Sequence, residues 1–518
     1  MIELKDYSDI TKTNIIKEYK NKNIATSDKY DFCNVRKNLG LVYDGGNYKT
    51  AGFCGCCYLK DIYGNYILDD NGDKVILNIP KSRFSEDNSE DSILNMLNKI
   101  MTDDEFDQYF SNDLEEGKRL ITYFFDEDLI LAKSTIDEYK ILTYISFVRL
   151  VLDFTRRGLM SKSVRKTQNF TGKIRGKIDI KNQITKNVMR GRDDRQYCKY
   201  SEKSVDIMEN QVLKYALNIV IKGSKSLGLN NIERSIGILK RRFSGVSDVK
   251  LSVSEIDRII LPAMYQSYRP MFQLAKVIIS EKTLYPTSDG DRVGVIPYAI
   301  NMPFLFECYV RTILKEQIKN INENNENNEN NENNENNEDS DDSEENKNNK
   351  YYYIEMKKFV PDKRRSYDES YGCRMSTKKN CYIKGNLVPD IVLEYYKIVK
   401  DQNDEIKTKT SWGYRVYDVK YKWSDNKNNA RDDRLQFLAY CLIYGIIGEI
   451  KEKDNTSYYF GYGGLIFPKQ NGKESNKAEI NINNQNQSEG AWYHQFFIDT
   501  NPKKGDSKKY DTWKWLEW

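Results

Sequence analysis

The sequence Leu-Val-Pro-Asp-Ile-Val-Leu occupies residues 387–393, and Val-Tyr-Asp-Val-Lys-Tyr-Lys follows at residues 416–422. Both stretches are rich in β-branched and aromatic residues, which predicts two strands of a sheet. Each carries an acid, Asp390 in the first and Asp418 in the second, 28 residues apart. A carboxylate inside an apolar strand is costly unless a metal ion or a charged group accompanies it. The two acids therefore indicate a functional site on these strands.

Lys420 lies two residues after Asp418, which places both side chains on one face of the strand. Two acids and a lysine are the groups that metal-assisted phosphodiester cleavage requires. The carboxylates offer hard oxygen ligands to Mg²⁺, and we expect Mn²⁺ to substitute for it. The ammonium would orient the attacking water or offset charge on the phosphorus. The arrangement resembles the PD-(D/E)xK nuclease core, although an Asp-x-Lys also occurs as an ion pair at a solvated strand edge.

A strongly apolar helix is predicted for residues 431–445, downstream of this strand. Gln436 and Tyr440 are four residues apart, so they share one face of that helix. A Gln-x-x-x-Tyr helix in this place resembles the RecB-like branch of the nuclease superfamily, which implies that both residues support the catalytic site or contact DNA. A core helix with two polar residues at its edge is the alternative.

Glu307 is a third candidate metal ligand, in a helix predicted from Phe304 to Leu314. In the nuclease superfamily that the motifs resemble, an acid on this helix often supplements the two strand acids. Arg311 follows four residues later, so an ion pair on the helix surface explains Glu307 equally well.

Further motifs extend the resemblance to the McrC family, the nuclease subunits of McrBC systems, which cut DNA containing 5-methylcytosine. They are Ile76–Lys81, the Gly-rich basic stretch Gly172–Asp179, Tyr200–Asn210 with its Glu-Asn pair, and Asn301–Val310. LlaJI-type restriction systems share this subunit and are not separated from McrBC by these motifs.

The resemblance implies two partners, double-stranded methylated DNA and a separate McrB-like AAA+ GTPase, with docking through the N-terminal region. The chain contains no Gly-x-x-x-x-Gly-Lys-Ser/Thr, so GTP would act only through that partner. Two other functions remain open. One is a non-catalytic assembly and GTPase-activating factor, and the other is a stand-alone, site-specific type II-like endonuclease.

Basic residues are concentrated between Arg156 and Lys199, where 14 lysines and arginines face three aspartates. Such a run is often only a solvated surface, but beside a nuclease motif it predicts a surface that follows DNA phosphates. The residues predicted to bind DNA are Arg165, Lys173, Arg175, Lys177, Arg190 and Arg192.

At 518 residues the chain is too long for one hydrophobic core. We predict a multi-domain α/β protein. It comprises an α+β domain at residues 1–155 that docks the partner, a basic middle domain at 156–300 that contacts DNA, and a PD-(D/E)xK domain at 301–518 with a mixed sheet flanked by helices. The predicted helices are 136–154, 203–222 and 231–243, and the predicted C-terminal strands are 351–356, 390–396, 415–421, 458–467 and 492–498.

Asn-Glu repeats dominate the segment between Asn322 and Asn346, which holds 11 acids and no lysine or arginine. Without these acids the formal net charge rises from +4 to +15, so the remainder of the chain is strongly basic. A segment this polar buries little surface, and we predict disorder for residues 320–349. It is most simply a linker, and an acidic competitor for the DNA channel is the alternative.

The nine cysteines include one cluster, Cys54, Cys56 and Cys57, while the chain has a single histidine, His494. We expect thiols, with a metal site at the cluster as the alternative. The longest apolar run has about 12 residues, fewer than the roughly 20 that span a bilayer. Together with a start that lacks a secretory signal, this predicts a cytoplasmic protein without a membrane partner.

Overall fold

A computed structural model describes much of the chain. The described residues are 2–6, 41–44, 47–50, 52–60, 65–66, 68, 71–82, 84, 92–103, 105–109, 119–132, 136–227, 229, 232–261, 263–283, 293–335, 350–357, 389–400, 406–422, 432–437, 439–440, 447–451, 457–468, 476–481 and 490–498.

The strands in this part of the chain are β1 (Ile2–Lys5), β2 (Leu41–Asp44), β3 (Asn47–Thr50), β4 (Phe53–Tyr58), β5 (Ile76–Lys81), β6 (Ile121–Tyr123), β7 (Ile130–Ala132), β8 (Lys162–Thr171), β9 (Lys177–Ile178), β10 (Arg195–Ser204), β11 (Val293–Val295), β12 (Tyr298–Asn301), β13 (Lys350–Met356), β14 (Ile391–Lys400), β15 (Ile406–Val419), β16 (Ile447–Lys451), β17 (Ser457–Pro468), β18 (Asn476–Asn481) and β19 (Gly490–Ile498). The helices are α1 (Ser92–Ile100), α2 (Phe106–Tyr109), α3 (Ile136–Phe154), α4 (Ile180–Lys186), α5 (Met208–Ser226), α6 (Glu233–Arg242), α7 (Val253–Asp257), α8 (Arg269–Thr283) and α9 (Met302–Glu335). Residues 432–437 and 439–440 are also helical and are called the Gln436 helix below.

The chain divides into two compact units, residues Met1–Tyr123 with Tyr298–Trp518, and residues Phe124–Pro297. The first unit joins both ends of the chain because β12 pairs with β4 and with β6 in a five-stranded sheet of order β1-β5-β4-β12-β6. These boundaries differ from those predicted at 155 and 300, since strand pairing over such a separation leaves no local trace in composition. The division into docking, DNA-contact and nuclease domains stays a prediction.

The C-terminal half builds a seven-stranded mixed sheet of order β13-β14-β15-β17-β19-β18, with β16 paired to β17. β13, β14 and β15 are antiparallel neighbours, whereas β15, β17 and β19 run parallel. The apolar runs of these strands are buried on both faces, since Ile391, Val392 and Leu393 are all buried. The predicted order of a helix, three strands, a helix and a further strand is present as α9, β13 to β15, the Gln436 helix and β17, with β16 as an additional strand before β17.

The helix α9 is longer than predicted and continues to Glu335. The expectation of disorder is therefore wrong for residues 320–335, while residues 336–349 lie outside the described part. Once a packed helix is nucleated, each further residue adds one backbone hydrogen bond without needing an apolar face. Asn322 also holds the helix to the sheet: its side-chain amide donates to Ile354 O at 2.9 Å and accepts from Ile354 N at 2.9 Å.

The second unit is largely helical, and α3 has the predicted bounds. α5 begins five residues later than the predicted 203, since residues up to Ser204 belong to β10. A three-stranded sheet of order β8-β10-β9 carries the basic segment. Asn210, at the start of α5, donates to Met160 O at 2.8 Å and to Val205 O at 2.7 Å, so it ties the ends of that sheet to the helix.

β4 and β5 near the N-terminus are antiparallel neighbours, and Tyr58 pairs with Ile76. Cys54, Cys56 and Cys57 lie on β4 as thiols, the first two buried. None of the helices in the described ranges is both long and apolar enough to cross a membrane.

Candidate active site

Asp390 and Asp418 lie on neighbouring strands, as predicted. Asp390 directly precedes β14, and Asp418 lies near the end of β15, one residue beyond the pairing of Ile391 with Tyr417. The Asp390 carboxylate bonds to the second strand, because its Oδ2 accepts a hydrogen bond from the backbone N–H of Val419 at 2.7 Å. The two acids are thereby held beside each other.

Burial governs the electrostatics of the pair. Asp418 is only 2% exposed. Burial raises the pKa of its carboxyl well above the usual range, the neighbouring charge of Asp390 raises it further, and Lys420 opposes both effects. A carboxylate in this position is stabilised by added positive charge.

Lys420 supplies one such charge, with its Nζ 2.6 Å from Asp418 Oδ2. Burial alone would lower the pKa of Lys420, but the charges of Asp418 and then Asp390 outweigh it, so its pKa lies above the ordinary value. Lys420 is therefore a fixed cation at neutral pH and not a proton acceptor. A fixed cation is what the water-orienting or charge-stabilising role requires, and that role stays a prediction.

The Gln436 helix completes a chain of hydrogen bonds. Lys420 Nζ donates to Gln436 Oε1 at 3.0 Å, and Gln436 Nε2 donates to the hydroxyl of Tyr440 at 2.6 Å. Tyr440 is buried, so packing restricts the position of the hydroxyl that accepts from the amide. The four-residue spacing predicted this shared face, and the structure brings both side chains to Lys420.

Two residues at the site were not among the predicted ones. Asp433 is buried and accepts from Lys422 Nζ at 2.7 Å, and its Oδ1 lies 4.0 Å from Lys420 Nζ. The signal was available, because Asp433 precedes Gln436 by three residues on the same helix face and Lys422 follows Lys420 by two on the strand. A second lysine and acid thus surround the predicted pair.

Glu307 is not gathered into a metal centre. Among the described residues, which include both aspartates and Glu307, no three acidic, cysteine or histidine side chains form a group suited to a metal ion. The charge of Glu307 instead helps to raise the pKa of Arg311, whose largest influence is the opposing effect of burial. Metal ligation by Glu307 stays a prediction, as does its ion-pair alternative, and among the described residues the cysteines of β4 belong to no such metal group.

The donor set suits a divalent cation at the two aspartates. Neighbouring carboxylates, one of them buried, do not both ionise without further positive charge. Lys420 provides one positive charge against the two negative charges of the carboxylates. A hard cation shared by the oxygens of Asp390 and Asp418 would balance the remaining charge. Mg²⁺ is usually bound by one or two carboxylates plus water and phosphate, so a pair without a third protein acid is an acceptable site.

A close backbone contact aligns the next strand. Gly463 of β17 has φ of +147°, and a Cβ at that position would lie 1.8 Å from Val416 O of β15. Only glycine permits this approach. From this contact onward β17 pairs in parallel with β15. Just beyond the end of β15, the backbone N–H of Lys420 donates to Ile466 O at 2.8 Å.

The six predicted DNA-binding residues are exposed on the sheet β8-β10-β9 and its connections, which we call the basic module (residues 162–204); they are Arg165, Lys173, Arg175, Lys177, Arg190 and Arg192. The module has a very small core of Phe170, Cys198 and Tyr200. Arg175 stacks over the Tyr200 ring at 4.2 Å and lies 3.6 Å from Glu202. The Arg175 guanidinium is therefore held between a ring and an acid, while half of its side chain stays exposed to solvent.

Hydrogen bonds between amide side chains supplement the small hydrophobic core of this module. Asn187 is fully buried, and its Nδ2 donates to Asn169 Oδ1 and Gln183 Oε1, each at 2.9 Å. Exposed apolar side chains lie among the basic ones, a mixture typical of a contact surface. They are Ile174, Ile178, Ile180, Ile184, Val188 and Met189.

The fold and the site define a mixed α/β protein with two neighbouring aspartates, one of them buried, and a lysine at the end of a mixed sheet. A model of the family described as McrBC 5-methylcytosine restriction system component matches residues 73–362. The chain belongs to this family, which confirms the resemblance to McrC. The match ends before Asp390, so the acids, Lys420 and the Gln436 helix all lie beyond it.

Solved structures similar to the chain come from Thermococcus gammatolerans. One is a refined half-complex of a tetradecameric assembly of McrB AAA+ hexamers with bound McrC, at 14% identity and a TM-score of 0.34, covering 96% of this chain and 94% of that one. Another is the McrBC complex determined by cryo-EM, at 16% identity and a TM-score of 0.26, covering 60% of this chain and 86% of that one. No curated protein matches the chain.

Proposed function

We propose that the chain is the Mg²⁺-dependent DNA endonuclease subunit of a McrBC-like, modification-dependent restriction system. The observation that carries the proposal is the grouping of Asp390, Asp418 and Lys420, with Lys420 Nζ 2.6 Å from Asp418 Oδ2. Membership of the McrBC family supports the restriction context. The PD-(D/E)xK assignment rests on the order of elements and on these three residues.

Asp390 and Asp418 would hold the metal ion through their carboxylate oxygens. When bound, Mg²⁺ would polarise a phosphoryl oxygen and lower the pKa of the attacking water. Lys420 keeps its proton, so its ammonium would hold the water oxygen in line or stabilise the extra negative charge on the phosphorus. Gln436 fixes the direction of that ammonium through the bond at 3.0 Å.

The basic module would hold the DNA by its phosphates. Its exposed arginines and lysines supply affinity without base recognition, because phosphate contacts carry no sequence information. Methylated double-stranded DNA is the substrate that the family description suggests. The choice of modified base would then belong to the partner.

The partner would be a McrB-like AAA+ GTPase, as in the archaeal assembly of McrB hexamers with bound McrC. The absence of a P-loop motif in the chain is consistent with a motor on a separate subunit. GTP would thus act on cleavage only through that subunit. Docking through the N-terminal region remains part of the proposal.

A nicking assay on methylated plasmid, with the AAA+ partner, GTP and Mg²⁺, tests this function. We expect Asp418→Ala and Lys420→Ala to abolish cutting while DNA binding and GTP turnover by the partner persist. Cutting retained by both variants would refute the assignment. Stimulated GTP turnover with no cutting by the wild type would identify an assembly factor, and cutting of unmethylated DNA without GTP would identify a type II-like enzyme.

A further inference from the structure

Arg311 is a buried residue of α9. Its side chain donates hydrogen bonds to backbone carbonyls beside strands β13 and β14. Its Nη1 donates to Asp390 O at 3.0 Å, and its Nη2 donates to Lys357 O at 3.0 Å. Lys357 directly follows β13, and Asp390 directly precedes β14. One planar guanidinium therefore clamps the end of one strand to the start of the next, a geometry that lysine cannot reproduce.

Arg311 restrains the backbone of Asp390, while the backbone N–H of Val419 restrains the Asp390 side chain. The carbonyl is held by Arg311, and the carboxylate Oδ2 is held by Val419 N at 2.7 Å. With both ends restrained, the carboxylate keeps one position relative to Asp418. Groups that orient metal ligands in this way commonly change metal affinity when they are lost.

Glu105 of the N-terminal segment compensates the buried charge of Arg311, and Asp103 pairs with the neighbouring Lys315. Glu105 Oε2 lies 3.3 Å from Arg311 Nη2 and 2.7 Å from Lys315 Nζ. Asp103 Oδ1 lies 2.6 Å from the same Lys315 Nζ, and Asp103 Oδ2 accepts from the Tyr109 hydroxyl at 2.6 Å. A segment far from the motifs in sequence thereby reaches the catalytic strands through one arginine.

We infer that Arg311, held by Glu105, is a positioning residue that sets the place of the Asp390 carboxylate for metal binding. The inference rests on the proposed function, since it assigns Asp390 to a metal site. Lys315 provides the matched control. It lies one turn further along α9 and shares Glu105 and Asp103, so its loss disturbs the same buried charges.

The experiment is calorimetric titration of the full chain with Mn²⁺ in the absence of DNA, followed by the Mg²⁺ dependence of cleavage. We expect Arg311→Lys to weaken Mn²⁺ binding by about tenfold or more, and to raise the Mg²⁺ concentration needed for half-maximal cutting by a similar factor. The affinity for DNA should not change. Glu105→Gln, which keeps the shape and removes the charge, serves if Arg311→Lys fails to fold, and we expect a smaller loss in the same direction.

Lys315→Met should lower the melting temperature and leave Mn²⁺ binding as in the wild type. Mn²⁺ binding lost equally in Lys315→Met and Arg311→Lys would overturn the inference, because general destabilisation would then explain both. Unchanged binding in Arg311→Lys and Glu105→Gln, with binding lost in Asp418→Asn, would overturn the inference alone. Unchanged binding in Asp418→Asn would instead count against the proposed metal site itself.

Discussion

The end of the seven-stranded sheet and the basic module are both dense in charge, and they treat it in opposite ways. At the sheet, Asp418 and Asp433 are buried, and Lys420 and Lys422 are largely covered. In the module, the six predicted DNA-binding side chains are all exposed. The same residue types therefore stand in a low-dielectric setting in one region and in solvent in the other.

Burial decides what each region is suited to do. Charges removed from water interact strongly at short range, so a buried lysine beside an acid can direct a single atom or ion. Exposed charges are screened by salt and hold a long anion through many weak contacts. We therefore assign the cleavage rate to the sheet site and the DNA affinity to the module.

Replacing Lys420 should have the largest effect on cleavage after the loss of Asp418 itself. We expect Lys420→Met to lower the cleavage rate at saturating DNA on the order of 10²–10³-fold, the loss typical of one electrostatic stabiliser, with DNA affinity unchanged. Single-turnover cleavage of labelled DNA measures this. Lys422→Met is the control, because Lys422 bonds Asp433 at 2.7 Å and not Asp418. Equal losses in the two variants would mean that Lys420 has no special role.

Neutralising the module should change binding and leave chemistry intact. For Arg190→Gln with Arg192→Gln, we expect weaker DNA binding and a salt-dependence slope reduced by about 1.8, since each phosphate contact contributes roughly 0.9. The rate at saturating DNA should stay as in the wild type. Binding isotherms across a salt series measure the slope. Lys222→Gln with Lys225→Gln, both exposed on α5, control for net charge, and an equal effect there would remove the special role of the module.

A smaller effect is expected from Tyr440. Tyr440→Phe removes the hydroxyl that accepts from Gln436 at 2.6 Å, so the amide that steers Lys420 loses one restraint. We expect the cleavage rate to fall about fivefold, corresponding to about 1 kcal/mol for one hydrogen bond. Tyr395→Phe, in a buried tyrosine of β14, should leave the rate unchanged. A rate unaffected by Tyr440→Phe would limit the site to the strand residues.

The smallest effect concerns stability and pH in metal-free buffer. The pKa of Asp418 in the folded chain lies above its ordinary value of 3.8, first because of burial and then because of Asp390. The folded state then binds the proton more tightly than the unfolded state, so stability falls as pH rises from that value through the folded pKa. Asp418→Asn has no such proton. Its melting temperature should therefore rise relative to that of the wild type as pH increases across this range. Parallel melting curves at all pH values would contradict the assigned shift.

Much of the candidate site was predictable because its signals are local. Runs of β-branched and aromatic residues marked β14 and β15, and the four-residue spacing of Gln436 and Tyr440 marked a shared helix face. Lys420 followed from its position two residues after Asp418 on an extended strand. These relations depend only on strand and helix geometry, which the sequence pattern carries.

Other features depend on distant pairings or on context. β12 joins the N-terminal sheet across more than 200 residues, and Glu105 reaches Arg311 across 206 positions in sequence. Neither separation is visible in composition. The extension of α9 was missed because polarity was taken to imply disorder, whereas Asn322 ties the helix to Ile354 of β13.

The most direct test of the account is the single-turnover cleavage rate of Asp418→Asn, assembled with the AAA+ partner at saturating methylated DNA and Mg²⁺. The substitution keeps the shape of the side chain and removes the buried charge. We expect the rate to fall on the order of 10³-fold or more, with DNA affinity and GTP turnover unchanged in the same sample. Cleavage by Asp418→Asn at the wild-type rate would contradict the assignment of the chemistry to the aspartate pair.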